Sequence, residues 1–201
     1  IREINTEAFG HESKSSMGND IADINNDGWP DIITVDMLPE DEKILKSSLT
    51  DDAIDTYTYQ RKLGYSNQYV RNCLQLNIGK GMKFADIALY SGVSTTDWSW
   101  SPLIADFNLD GRADIFISNG VKKRPNDLDY LKYISTLPKN EPGQNTRAHD
   151  RGILQHLPDG KWHNYIFEGE DDFKFKDQSA GWGFEQANLS QGAIYADLDG
   201  D

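Results

Sequence analysis

"IADINNDGWPDI" (residues 21–32) returns as "IADFNLDGRADI" (104–115), 83 residues further on, with eight of twelve positions identical. The second copy in turn matches the tail: "ADFNLD" (105–110) lies over "ADLDGD" (196–201) at an offset of 91. That offset also pairs Phe84 with Phe175, Asp86 with Asp177 and Gly92 with Gly183. A shared frame of this extent marks a repeated unit of roughly 80–90 residues, and a repeat decides the fold before any single segment does.

Each unit carries the same strand signals. "DIITVDM" (31–37) and "DIFISN" (114–119), directly after the acidic stretches, are short and rich in isoleucine, as strands are. "CLQLNIGKGMKFADIA" (73–88) has the form of a hairpin about Gly79 to Gly81, and "NYIFEGEDDFKFKDQS" (164–179) is its counterpart, with a turn about one residue different in length. With a strand before the acidic loop, one after it and a hairpin, each unit has four antiparallel strands, which predicts an all-β chain of β-propeller blades. Blade 1 spans 1–90 with an insertion at about 38–70, blade 2 spans 91–180 with an insertion at about 120–162, and 181–201 supplies the first strand and a truncated acidic loop of blade 3. About two blades and a strand do not close a ring of the usual 4–8 blades, so the chain reads as part of a larger propeller. The insertions are helical. "TDDAIDTYTYQRKLG" (50–64) has a Thr50 cap, late Arg61 and Lys62 and a closing Gly64, and "NDLDYLKYISTLP" (126–138) has an Asn126 cap, an apolar face of Leu128, Leu131 and Ile134, and a Pro138 stop.

The acidic loop has the chemistry of a hard cation site. Asp23, Asn25 and Asp27 place side-chain oxygens at positions 1, 3 and 5, a glycine at position 6 allows a sharp turn, the carbonyl of Trp29 adds an oxygen, and Asp31 closes the set at position 9. Asp106, Asn108, Asp110, the carbonyl of Arg112 and Asp114 repeat the set. All-oxygen ligation with several carboxylates suits Ca²⁺, whereas Zn²⁺ calls for His or Cys, absent from both loops. An EF-hand puts its last ligand at position 12, where this chain has Thr34 and Ile117, and its flanks are helices rather than strands. The competing reading is an acidic hairpin turn without metal, but both complete copies agree at every ligand position. Asp197, Asp199 and Asp201 occupy positions 1, 3 and 5 of the third loop, which lacks its glycine and closing aspartate.

Composition narrows the partners. With 33 Asp+Glu against 20 Lys+Arg the net charge is −13, which repels phosphate and argues against a nucleic-acid partner. No apolar run reaches the roughly 18 residues of a membrane span. The single cysteine, Cys73, excludes an internal disulfide and reads as a small buried hydrophobe. Calcium loops then act as the staples of the fold, and the weak calcium sites of extracellular modules, with Kd on the order of 10⁻⁴–10⁻³ M, favour a location outside the cytosol.

The loops "DINNDGWPDI" and "DFNLDGRADI", followed by "LQLNIGKGMKF", resemble the FG-GAP/VCBS repeat, as in the propeller of integrin α subunits. "VDMLPED" (35–41), "DWSWSPLIADFNLDG" (97–111) and "FKDQSAGWGF" (175–184) resemble a narrower group, bacterial secreted or surface proteins related to cartilage acidic protein and often ending in an ASPIC/UnbV domain. The resemblance implies Ca²⁺ in the loops, export to the cell surface or the exterior of the bacterial outer membrane, with a lipid anchor possible in the parent protein, and remaining blades elsewhere in that protein. It implies no settled biochemical activity.

Strand parity locates a working face. In an antiparallel blade the first-to-second and second-to-third connections leave from opposite ends, so the acidic loops face away from the insertions. The insertion face carries Tyr57, Tyr59, Tyr130 and Trp98, aromatic side chains able to stack on sugar rings or anchor a protein partner, or else to pack the insertions onto the blades. His11, His149, His156 and His163 form no catalytic motif, and no nucleophile elbow is present. The favoured function is therefore a non-catalytic binding module for protein or glycan at the cell surface, with a carbohydrate-active enzyme and an architectural envelope subunit as alternatives.

Overall fold

A computed structural model describes residues 4–49, 53–137 and 152–198. In the first unit, α1 (Asn5–Ala8) and β1 (Glu12–Ser13) lead into β2 (Gly18–Ala22) and β3 (Asp31–Val35). The insertion holds β4 (Met37–Leu38), α2 (Glu42–Ser47), α3 (Ile54–Lys62) and β5 (Gln68–Tyr69), and the unit closes with β6 (Cys73–Asn77) and β7 (Phe84–Asp86). The second unit follows the same plan: α4 (Ala88–Ser91), β8 (Asp97–Ala105), β9 (Asp114–Asn119), an insertion with β10 (Val121–Lys123), α5 (Leu128–Thr136) and β11 (Asp159–Gly160), then β12 (Tyr165–Gly169) and β13 (Phe175–Asp177). The fold is mostly β, and its two large sheets are antiparallel.

The first sheet has the order β2-β3-β6-β7 and the second β8-β9-β12-β13, each four strands in chain order. β4, from the first unit, adds itself to the free side of β8, pairing Met37 with Trp98 and Leu38 with Asp97. The two sheets share pairings: Ala22 faces Asp31 as Ala105 faces Asp114, and Asn77 faces Phe84 as Gly169 faces Phe175. These registers put each acidic loop and each hairpin turn at one end of the sheet and both insertions at the other, as strand parity requires. The turns are tight: Lys80 and Gly81 adopt φ of 54° and 84°, and Asp172 and Phe173 adopt 56° and 60°, the left-handed pair of a two-residue hairpin.

The sheets stack head to tail. Ile33, Val35 and Leu74 of the first pack on Ile104, Ile115, Ile117, Tyr165 and Phe167 of the second, with Ala88 and Val93 between them. Each of the Val, Leu, Ile and Phe side chains contributes about 1.5–3 kcal/mol on burial. β2 runs so close to β8 that a Cβ on Gly18 would collide with the Trp100 carbonyl oxygen. Asp20 reaches across the same gap, its Oδ2 accepting from Ile104 N at 2.7 Å. The repeat frame places Ile115, Ile117, Tyr165 and Phe167 over Ile32, Thr34, Cys73 and Gln75 of the first sheet, so one face of the first sheet meets the opposite face of the second.

The helical expectations hold with adjustments. α3 ends before Gly64, whose φ is 91°, and begins after Ala53; Thr50 and Pro138 lie outside the described residues. α5 is capped by Asp127, not Asn126: Asp127 Oδ1 accepts from Tyr130 N at 2.9 Å, while the carbonyl of Asn126 is taken by Leu49 N of the first insertion. α2, capped by Asp41, and the parallel pair β1-β5 were not foreseen. Asp97, at φ 65°, is held by two hydrogen bonds from Arg124, 2.8 and 2.6 Å, which tie the second insertion to β8. Residues 191–198 form no strand where the first strand of a third blade is expected, and Ile194 and Leu198 are 91% and 94% exposed.

Candidate metal loops and a buried titratable cluster

The acidic loops are built by their own hydrogen bonds. In the first, Asp23 Oδ1 accepts from Asp27 N (3.1 Å) and Oδ2 from Gly28 N (2.7 Å), while Asp27 Oδ1 accepts from Trp29 N (2.8 Å). In the second, Asp106 accepts from Asp110 N (3.0 Å) and Gly111 N (2.7 Å), and Asp110 from Arg112 N (2.9 Å). Asn25 and Asn108 each accept from the N–H of position 5 as well. The coil requires left-handed backbone at positions 4 and 6, supplied by Asn26 and Gly28 (57°, 86°) and by Leu109 and Gly111 (59°, 89°).

The closing aspartates do a different job. Asp31 is buried, its Oδ1 accepting from Asn77 N (2.7 Å) and Oδ2 from Ile24 N (2.9 Å). Asp114 repeats this with Gly169 N (2.8 Å) and Phe107 N (2.9 Å). Each pins the start of its loop to the third strand of its sheet. Burial raises both carboxyls above the usual range, and the charges at positions 5 and 1 push the same way: Asp27 and Asp23 on Asp31, Asp110 and Asp106 on Asp114. That mutual repulsion is the electrostatic signature of carboxylates gathered about one point, and each bound oxygen keeps a second lone pair for a cation. The donor set therefore fits Ca²⁺.

The loops differ at position 7. Trp29 is 40% exposed, whereas the Arg112 guanidinium donates to Asp110 Oδ2 at 2.8 Å. Asp110 is held below the carboxylate range chiefly by the N–H of Arg112, with Asn108 and the Arg112 charge adding. Of the third loop, Asp197 is exposed, and Asp199 and Asp201 lie outside the described residues.

The four aromatic residues of the insertion face differ in exposure. Tyr59 is exposed on α3; Tyr57 is half-buried, its hydroxyl donating to Asn67 Oδ1 at 2.9 Å. Trp98 is half-buried in β8 and Tyr130 half-buried on α5. Among the described residues none of these four rings stacks on another aromatic ring. His156 packs on Tyr133 and His163 on Tyr165, with ring centroids 4.5 and 4.3 Å apart; His149 lies outside the described residues.

A second group of titratable side chains escaped the sequence reading. His11, Cys73 and Asp86 offer ligand atoms that all lie within 4.8 Å of one another. Arg71 joins them, 2.6 Å from Asp86 Oδ2 and 2.7 Å from His11 Nε2. Cys73 is buried as expected, and burial, with the nearby Asp86 charge, pushes its thiol up to about 12. The β6–β7 hairpin brings Cys73, Arg71 and Asp86 together, but sequence spacing held no signal for His11, which joins them because β1 pairs with β5 beside β6.

No family model, curated protein or solved structure matches this chain. No helix among the described residues is long and apolar enough to cross a membrane.

Proposed function

We propose that the chain is part of a calcium-stabilised β-propeller of the FG-GAP/VCBS kind, lying outside the cell or on its surface, which binds a protein or glycan partner without catalysis. The observation that carries this reading is the pair of acidic loops, 83 residues apart, built by matching hydrogen bonds around matching side chains. Asp23, Asn25, Asp27, the Trp29 carbonyl and Asp31 hold one ion, and Asp106, Asn108, Asp110, the Arg112 carbonyl and Asp114 the other. Calcium supplies charge: it offsets the repulsion among three carboxylates and ties the first two strands of a sheet together. The head-to-tail stacking supports the propeller, because a contact between opposite faces can be repeated around a ring. The insertion end carries the partner, being free of metal loops and bearing the exposed Tyr59 and Tyr65 of the first insertion.

Thermal melting tests the reading. About 10 mM calcium, ten to a hundred times a Kd on the order of 10⁻⁴–10⁻³ M, stabilises the fold by about 1.4–2.7 kcal/mol per site. Melting shifts upward by several degrees for each site, and EDTA reverses the shift. An unchanged melting temperature in EDTA refutes the calcium reading.

A further inference from the structure

We propose that the outward face of the first sheet carries a separate cation site, formed by His11, Cys73 and Asp86, that takes a borderline divalent ion of the Zn²⁺ or Co²⁺ class. The repeat exposes it. In the second sheet Ile117, Tyr165 and Phe167 form an apolar stripe buried against the first. The residues at the corresponding places in the first sheet are Thr34, Cys73 and Gln75, a hydroxyl, a thiol and an amide. These three line a cavity of about 200 Å³ together with His11, Glu12 and Ser13. A stripe meant only for packing has no use for such groups.

Buried acceptor oxygens around this cavity lack hydrogen-bond donors. Gln75 is 4% exposed, and its Oε1 has no hydrogen bond. Glu12 Oε1 is likewise buried and unbonded. Asp86 Oδ1 accepts from Leu74 N and Ala88 N, but Oδ2 has ion-pair contacts without a well-aligned hydrogen bond. His11 Nε2 lies 2.7 Å from that oxygen and 2.7 Å from the Arg71 guanidinium. A carboxylate only accepts and a guanidinium only donates, so one ring nitrogen cannot satisfy both. A metal ion resolves the conflict, because it is bound by the nitrogen and the oxygen alike. Imidazole, thiolate and carboxylate are the ligand types of Zn²⁺, whereas the hard, all-oxygen acidic loops are not. On binding, the Cys73 thiol proton passes to solvent, and Arg71 turns from His11 while remaining beside Asp86.

The test uses the chain without an affinity tag, with calcium present in excess, titrated with Co²⁺. The expected result is a thiolate-to-cobalt charge-transfer absorption that saturates at one equivalent and is displaced by Zn²⁺. Cys73→Ser abolishes the band, and His11→Ala weakens cobalt binding by at least about tenfold, the least that even an outer-sphere partner contributes. Melting of both variants with and without calcium confirms that each is folded. Absence of the band in the unaltered chain, or its persistence in folded Cys73→Ser, overturns the proposal.

Discussion

The two sheets share a register and a loop chemistry, yet their corresponding faces are opposites. Ile117, Tyr165 and Phe167 of the second sheet are sealed against the first, while Thr34, Cys73 and Gln75 of the first border a cavity and a charged cluster. What the repeat preserves is the local device that coils each loop and pins it through Asp31 or Asp114. What it lets vary is the face, whose residues answer to whatever packs on them. Two units that are nearly one in backbone therefore need not be one in energetics.

The largest expected effect separates the faces. Phe167→Ala removes a buried ring and costs about 3–5 kcal/mol in urea unfolding. Gln75→Ala removes the bond from Nε2 to the His11 carbonyl but also an unbonded buried oxygen, and costs under about 1 kcal/mol. Equal losses would erase the distinction between the two faces. A smaller effect separates two aspartates of one loop. With calcium chelated, Asp114→Ala strands the N–H groups of Gly169 and Phe107 and costs about 2–4 kcal/mol. Under the same conditions Asp110→Ala, at an exposed position, costs under about 1 kcal/mol, and its larger consequence is a reduced gain in melting temperature when calcium is added. If the two variants behave alike in chelator, the pinning role of the closing aspartate is wrong. The smallest effect separates the loops from each other. Arg112→Ala frees Asp110 Oδ2 and tightens calcium binding at the second loop by up to about fivefold, the limit of about 1 kcal/mol for an exposed pair. Calorimetry that finds no change, or a weaker site, shows that the guanidinium does not compete with the ion.

Much of this molecule was legible before its fold was known. The acidic loops, the strands on either side of them, the two hairpins and the opposition of loops and insertions all follow from short-range patterns. A ligand loop is written within nine consecutive residues, and strand parity needs only a count of connections. The cap of α5 was misplaced by one residue, because Asn126 is drawn into contact with Leu49, 77 residues away. The addition of β4 to the second sheet was hidden for the same reason: an edge strand's partner is fixed by the stacking of sheets, not by neighbouring residues. The aromatic residues of the insertion face allow either partner binding or packing of the insertions onto the blades, and the fold divides them between exposed and half-buried sites.

By itself the sequence determined the repeat, its four-stranded units and the oxygen-rich loops, since each depends on residues close together in the chain and on the few backbone shapes those residues allow. The tertiary structure alone decided which face of a sheet would be apolar and which would gather His11, Arg71, Cys73 and Asp86. Those side chains come from segments up to 75 residues apart, and only the docking of the N-terminal segment beside the first sheet removes them from water together.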